Sequence, residues 1–163
     1  MDISADQGLL GPRDALDYYH TAFVDLPVAV TPLEGWNIIT GAPNPLLQLA
    51  FDIRDGISAM FGVQRIAGFS GKQITDVQVG DHLDFFLVEH IAPDMLVLTA
   101  RDRHLDVMTT LTVEDARYRI TSSVVTHNWF GRAYMIPVGI AHRLIVWASL
   151  RRLRKALTAQ DRT

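Results

Sequence analysis

The chain has 163 residues and a formal net charge of −3, a length that predicts one domain over residues 1–163 with flexible tails at about 1–15 and 158–163. Apolar residues make up 48% and charged residues 20%, which excludes a disordered or fibrous chain. Because there is no cysteine, a disulfide framework, a thiolate zinc site and a cysteine nucleophile are also excluded.

The charge is unevenly distributed along the chain. Residues 1–100 contain 4 Lys/Arg and 13 Asp/Glu, whereas residues 101–163 contain 11 Lys/Arg and 5 Asp/Glu. This split predicts that the two halves pair with each other in the fold, and a basic binding face is the alternative.

Targeting and membrane segments are not expected. The first ten residues carry Asp2 and Asp6 and lack a basic start followed by an apolar stretch, which argues against a signal peptide. The most apolar late segment, residues 134–150, is interrupted by His142 and Arg143 and falls short of the ~18 uncharged residues of a spanning helix. We therefore expect a cytoplasmic protein without a membrane span.

The first third of the chain predicts one strand and two helices. Aromatic and β-branched residues indicate a strand over residues 16–28. The run Thr31-Pro32-Leu33-Glu34 is typical of a helix start and predicts a short helix to about Ile39. Asn44-Pro45 opens a second helix that should end at Gly62. Its regularly spaced apolar residues are predicted to share one face, with Gln48, Asp52 and Asp55 outside: Leu46, Leu49, Ala50, Ile53, Ile57 and Met60.

From Lys72 onward the apolar period changes to two, which predicts an antiparallel meander. Strands are expected over residues 82–90, 95–101, 105–113 and 118–126, with a further short strand over 77–79. The turns fall at residues 92–94 and 114–116.

The end of the chain predicts a loop over residues 128–132 and a long amphipathic helix from Pro137 to about Leu157. Its apolar arc should cover the sheet and comprises Ile136, Ile140, Leu144, Val146, Trp147, Leu150, Leu153 and Leu157. Trp147→Ala is accordingly expected to cost about 3–5 kcal/mol. Arg143 falls inside this arc and should meet an internal carboxylate, Asp106 or Glu89, or the acidic group of a ligand, unless its side chain reaches solvent.

Four cations lie in the last turns of this predicted helix: Arg151, Arg152, Arg154 and Lys155. They complement the carbonyl end of a helix, and a phosphate or membrane-surface patch is the alternative. We expect no binding to nucleic acid, because the chain is acidic overall and the helix lacks interleaved exposed aromatic residues.

The element order predicts an α+β fold with an antiparallel sheet wrapped around a long C-terminal helix and two short helices after the first strand. This order resembles the helix-grip fold of the START, Bet v 1 and polyketide-cyclase superfamily. The resemblance implies a cavity between the sheet and the long helix.

The last third also resembles the C-terminal signature of an uncharacterised bacterial family. The matching residues are Thr126-His127-Asn128, Gly131-Arg132, Tyr134-Met135-Ile136-Pro137-Val138 and His142-Arg143-Leu144-Ile145-Val146. The resemblance implies the same superfamily and an association with nucleotide-dependent dehydrogenase domains, and it brings no catalytic residues. The sequence leaves a homodimer open.

Candidate catalytic residues are His104 and Asp106, which lie two positions apart on a predicted strand. A histidine held by a carboxylate suits proton abstraction next to a carbonyl, and Arg101, Arg119 and Arg132 could hold the resulting enolate or a carboxylate. His127 could approach this pair, but three convergent metal ligands are not assured, so neither a metal nor a cofactor is predicted. The candidate ligand-binding residues are Arg143, Trp147, His127, Met108, Tyr134 and Trp129.

These features favour a small-molecule binding domain with an apolar cavity for a lipid-like, aromatic or polyketide-like ligand. The alternatives are a cofactor-independent cyclase, isomerase or hydratase, and a protein-interaction module that uses the basic helix end. An enzyme should place two or more titratable groups on one cavity wall, whereas a binder need not.

Overall fold

The computed structural model describes residues 8–41, 43–60 and 68–162. It has an α+β fold with a six-stranded antiparallel sheet and a long C-terminal helix. The strands are β1 Tyr18–Asp25, β2 His82–Leu83, β3 Phe86–Ala92, β4 Met95–Arg101, β5 Leu105–Glu114 and β6 Arg117–Thr126. The helices are α1 Pro32–Thr40, α2 Pro45–Met60 and α3 Trp129–Gln160, and a short 3-10 turn spans Arg13–Ala15.

The predicted meander is confirmed. The strand order is β1-β6-β5-β4-β3-β2, so β2 to β6 are sequential neighbours and β1 closes one edge beside β6. The β5–β6 turn places Asp115 and Ala116 at φ 48° and 61°, the left-handed conformation that a two-residue hairpin turn requires.

Two strand predictions are wrong. The predicted strand over residues 82–90 is broken at Asp84, whose φ of 55° reverses the chain and turns β2 back against β3. Residues 77–79 form no strand, because Gly80 and Asp81 join them to β3 through turn hydrogen bonds instead.

The predicted alternation of β5 and β6 is confirmed by their register. Leu111 lies opposite Ile120, and Val113 lies opposite Tyr118, on the face that α1 and α3 cover. Tyr118 is fully buried there and donates a hydrogen bond of 2.8 Å to the carbonyl of Pro32.

The opposite face of the sheet carries the intervening residues and receives the segment before β1. Thr110 donates a hydrogen bond of 2.7 Å to the carbonyl of Gly8. The backbone N–H of Leu10 donates to the hydroxyl of Ser123 at 3.1 Å. Gly8 and Leu10, inside the predicted N-terminal tail, are thus hydrogen-bonded to β5 and β6.

The start of α1 is as predicted. Thr31 accepts a hydrogen bond from the N–H of Glu34, and the carboxylate of Glu34 accepts one from the N–H of Thr31. This reciprocal pair is a capping box, and it satisfies two N–H groups that would otherwise lack partners.

The predicted inner face of α2 is wrong. Leu49, Ile53 and Met60 are exposed, whereas Phe51 packs edge-on against Phe69 and fixes the rotation of the helix. Asp55, predicted to lie outside, is half-buried and pairs with Arg54 at 2.9 Å. The side chains of Leu46 and Ile57, and the predicted stop at Gly62, lie outside the described residues.

Helix α3 begins eight residues earlier than predicted, at Trp129. Asn128 caps it by accepting a hydrogen bond of 2.9 Å from the N–H of Gly131. Pro137 therefore lies inside the helix, where it leaves one carbonyl of the preceding turn without its usual donor.

The buried face of α3 also differs from the prediction. Val146, Leu150, Leu153 and Leu157 are in the core as expected. Four other members of the predicted arc are exposed: Ile136, Ile140, Leu144 and Trp147. The apolar arc spans half of the helix circumference, so the sequence pattern does not determine which part of the arc packs against the sheet.

Within the described ranges, α3 also has the length and composition of a helix that could cross a membrane, with a mean hydropathy of 1.3 over its most apolar window. Only 22% of that window is buried. The other residues of that window are exposed or half-buried.

Candidate ligand site between β1 and α3

The edge strand β1 and helix α3 meet along a seam built around Tyr18. The hydroxyl of Tyr18 donates a hydrogen bond to the carbonyl of Gly139 at 3.2 Å and lies 3.2 Å from Nδ1 of His142. A Cβ at Gly139 would come within 2.9 Å of the Tyr18 ring, so the absence of a side chain permits this approach. His20, two residues along β1, places its ring 5.7 Å from that of His142.

Burial sets the ionisation of this cluster. It lowers the pKa of His142 to about 4, with smaller contributions from His20 and Arg143. Burial likewise lowers the pKa of His20 and raises the pKa of Tyr18. All three groups are therefore neutral near pH 7, and Nδ1 of His20 is buried with no hydrogen-bond partner among the described residues.

Two open grooves follow the seam on the outer side of these residues. The first groove has a volume of about 520 Å³ and is mainly apolar, with Met135, Ile136, Ile140 and Leu144 in its wall. The second groove has a volume of about 350 Å³ and combines apolar and cationic side chains, among them Phe23, Trp147, Leu150, Arg151 and Arg154.

Arg143 lines both grooves. It is exposed, so the interpretation of Arg143 as a buried arginine is wrong and the alternative of a side chain that reaches solvent holds. Asp106 and Glu89, its predicted internal partners, lie beside Arg101 instead, each 3.6 Å from that guanidinium. The side chain of Arg143 reaches solvent because α3 turns this side away from the sheet.

The structure brings only part of the predicted ligand set together. Trp147 joins Arg143 at the second groove. Trp129 is exposed at the start of α3. Tyr134 is half-buried, and its hydroxyl interacts with the side chain of Arg54 in α2. Met108 and His127 lie elsewhere, on β5 and just after β6.

The predicted pairing of His104 with Asp106 is replaced by another. Nε2 of His127 lies 3.1 Å from Asp106 Oδ1. His104 lies in the turn before β5, where its Nδ1 is 3.0 Å from the side-chain amide of Asn128. The strand begins one residue after His104, so His104 does not share the alternation that the spacing implied.

The arginines predicted to surround this pair do not all converge. Arg101 reaches Asp106, as described above. Arg119 lies over the ring of Phe23 at 5.2 Å, and Arg132 is exposed near the start of α3. The part of the chain that the structure describes contains no group of three or more His, Asp or Glu arranged to hold a metal ion.

Comparison with protein families identifies this chain. The family described as "Protein of unknown function (DUF2867)" matches residues 13–149. The chain belongs to the DUF2867 family. Among curated proteins, none matches it. A solved structure of a hypothetical protein from Helicobacter pylori is similar at 13% identity and a TM-score of 0.39, over 91% of this chain and 95% of that one.

The segment shared with other DUF2867 proteins runs from before β1 to Ser149 in α3. It contains the whole Tyr18–His20–His142 cluster and Arg143. Both walls of the first groove therefore lie within the DUF2867 segment.

Sequence reasoning missed Tyr18, His20 and His142 in this DUF2867 chain. Two signals could have found them. Tyr18 and His20 alternate on the predicted first strand, which places them on one face. Gly139 and His142 are three residues apart on a helix, where small and polar residues at this spacing indicate a close approach of another element.

Proposed function

We propose that this protein binds a small apolar molecule carrying an acidic group at the seam between β1 and α3. The observation that supports this most is the position of Arg143, whose side chain lines both grooves. A guanidinium can hold a carboxylate or phosphate through two parallel hydrogen bonds, and the apolar walls on either side would hold the rest of the ligand.

The two grooves suggest how such a ligand would be oriented. Arg151 and Arg154 add positive charge to the second groove, which favours the acidic end there. Ile136, Ile140 and Leu144 favour the apolar end in the first groove. His20 and His142 lie behind the seam and are neutral, so they would not compete with Arg143 for the anion.

This proposal keeps the expected ligand class and moves it from an enclosed cavity to an open seam. We also propose that the fold is a variant of the helix-grip fold of the START and Bet v 1 superfamily, on the strength of its sheet, its two inserted helices and its long C-terminal helix. A cytoplasmic location and an association with a dehydrogenase domain complete the proposal.

The test is a thermal-shift screen of fatty acids, aromatic acids and acyl thioesters on the wild type, on Arg143→Met and on Lys72→Met. Lys72 is an exposed cation away from the seam and serves as the matched control. Because Arg143 is exposed, its replacement should change stability by no more than about 0.5 kcal/mol without ligand.

We expect at least one acid to raise the midpoint of the wild type and of Lys72→Met, and to have no effect on Arg143→Met. If no acid raises the wild-type midpoint, or if Arg143→Met responds like the wild type, the proposal is wrong.

A second candidate function is acid–base catalysis by His127 and Asp106. It is favoured by their 3.1 Å contact and by the partial exposure of the His127 ring, with Arg101 beside them to hold an anionic substrate. The test is hydrogen–deuterium exchange at the α-carbon of acyl thioesters, followed by NMR. Catalysed exchange that is lost in His127→Gln and kept in His82→Gln would support it, and the absence of exchange would exclude it for these substrates.

A further inference from the structure

Helix α3 presents an apolar surface that its own fold leaves open. Its outward side chains and their exposed fractions are Trp129 72%, Ile136 72%, Ile140 64%, Leu144 51% and Trp147 59%. These residues extend over about 27 Å of helix, since each residue adds ~1.5 Å. We call this set the α3 outer face.

The charged residues that helix α3 itself contributes are all cations. The sequence from Trp129 to Gln160 contains no acidic residue and six cations: Arg132, Arg143, Arg151, Arg152, Arg154 and Lys155. Arg143, Arg151 and Arg154 are exposed, and none of them makes an ion pair with a carboxylate within the described residues. Arg151 instead lies 5.2 Å from the centre of the Trp147 ring.

We propose that the α3 outer face docks on the surface of an anionic lipid bilayer, with the helix axis lying in the plane of the interface. Apolar side chains would enter the boundary of headgroups and acyl chains, and the flanking arginines would meet the lipid phosphates. Trp129 and Trp147 are suited to the headgroup level, where tryptophan is enriched. This surface shares Ile136, Ile140, Leu144 and Trp147 with the two grooves, but docking on a bilayer does not require a small-molecule ligand.

A helix lying on the membrane fits better than one crossing it. Leu150, Leu153 and Leu157 of α3 are buried against the rest of the fold. Crossing the bilayer would withdraw α3 from the sheet and expose the core. Lying at the surface uses only side chains that are already exposed.

A bilayer also fits better than a second copy of this chain. A two-fold dimer formed through this face would pack the same surface against itself. The two copies would then bring Arg143 and the terminal arginines together without a carboxylate from either helix, and close like charges are unfavourable. Anionic lipid supplies the missing negative charge.

The first experiment is co-sedimentation with vesicles of pure phosphatidylcholine and of phosphatidylcholine containing about 30% phosphatidylglycerol, an anionic lipid. The variant is Ile140→Glu, which places a charge at the centre of the face. The control is Val79→Glu, because Val79 is 63% exposed and lies outside α3. Circular dichroism and the unfolding midpoint establish that both variants are folded.

We expect binding to the anionic vesicles alone, a loss of at least tenfold in affinity for Ile140→Glu and no change for Val79→Glu. Arg151→Gln should bind about fivefold more weakly, whereas Lys72→Gln should bind as the wild type does. Tryptophan emission should shift to shorter wavelength on binding, and this shift reports Trp129 and Trp147 because Trp36 is already buried.

Three results would overturn the proposal. These are no binding to anionic vesicles, equal binding to neutral vesicles, and equal binding by Ile140→Glu and Val79→Glu. If vesicles are not bound and sedimentation shows a dimer that Ile140→Glu dissociates, the face joins two copies instead. The vesicle assay contains no small acids and the ligand screen contains no lipid vesicles, so the two proposals fail separately.

Discussion

At the scale of single residues, exposure separates two apolar positions on α3 that the sequence makes equivalent. Trp147 is exposed and Leu153 is fully buried. Trp147→Ala should therefore lower the free energy of unfolding by less than about 1 kcal/mol, and Leu153→Ala by about 2–5 kcal/mol. Chemical denaturation of both variants measures the difference. A larger loss for Trp147→Ala than for Leu153→Ala would restore the helix rotation expected from the sequence.

His142 gives the protein a predictable response to acid. Its ordinary pKa of 6.5 falls to about 4 in the fold, so below pH 6.5 the unfolded chain binds a proton that the folded chain resists. Stability should consequently decrease as the pH falls from 6.5 to about 4, by on the order of 3 kcal/mol in full. His20 acts in the same direction, because burial lowers its pKa as well.

The measurement is the unfolding midpoint between pH 7 and pH 4.5 for the wild type, His142→Asn and His82→Asn. His82 is exposed at the far edge of the sheet and serves as the control. We expect a shallower pH dependence for His142→Asn alone. Parallel curves for all three proteins would show that His142 is not held neutral.

At the scale of elements, two glycines determine how closely α3 approaches the sheet. A Cβ at Gly131 would overlap the carbonyl oxygen of His104, and a Cβ at Gly139 would crowd the ring of Tyr18. The backbone carbonyl cannot move aside as a ring can, so Gly131→Ala should cost more than Gly139→Ala, within the ~1–3 kcal/mol typical of overpacking.

Gly56 is the matched control for these substitutions, since it lies inside α2 with open space around its Cα. Gly56→Ala should stabilise the protein by up to about 1 kcal/mol through helix propensity. Thermal unfolding of the three variants compares them directly. A stabilising Gly131→Ala would mean that α3 lies farther from the β4–β5 turn.

At the scale of the whole molecule, the fold needs residues beyond the segment shared by the family. The family match ends at Ser149, whereas Leu150, Leu153 and Leu157 belong to the core. A chain cut after Ser149 should show no cooperative unfolding transition, because the sheet would lose the side chains that cover it. A chain cut after Gln160 should unfold like the full chain. Calorimetry distinguishes them, and a cooperative transition in the shorter chain would contradict the prediction.

The charge asymmetry of the sequence is resolved only in part by pairing between the two halves. Arg117 pairs with Asp25 at 2.7 Å, and Arg101 approaches Glu89 at 3.6 Å. Arg143, Arg151 and Arg154 instead lie along the open side of α3. Both interpretations of the asymmetry therefore describe part of the molecule, and the cations without carboxylate partners lie beside the proposed ligand and lipid surfaces.

The sequence by itself determined strands β4 to β6 and the start of α1. A strand has only two faces, so alternation assigned the core sides of β5 and β6. Pro93 marked the turn between β3 and β4, and Asp115 marked the turn between β5 and β6. The capping box at Thr31 is equally local, because its two hydrogen bonds join residues three positions apart.

Only the tertiary structure decided the rotation of α2 and α3 and the composition of the candidate site. An apolar arc of half a turn leaves a helix many near-equivalent orientations, and distant contacts choose among them. The packing of Phe51 on Phe69 fixes the rotation of α2. The hydrogen bond from Tyr18 to the carbonyl of Gly139, 121 residues away, fixes the rotation of α3. The contact between His127 and Asp106 also depends on tertiary structure, because the pairing of β5 with β6 brings these residues together and their sequence spacing does not.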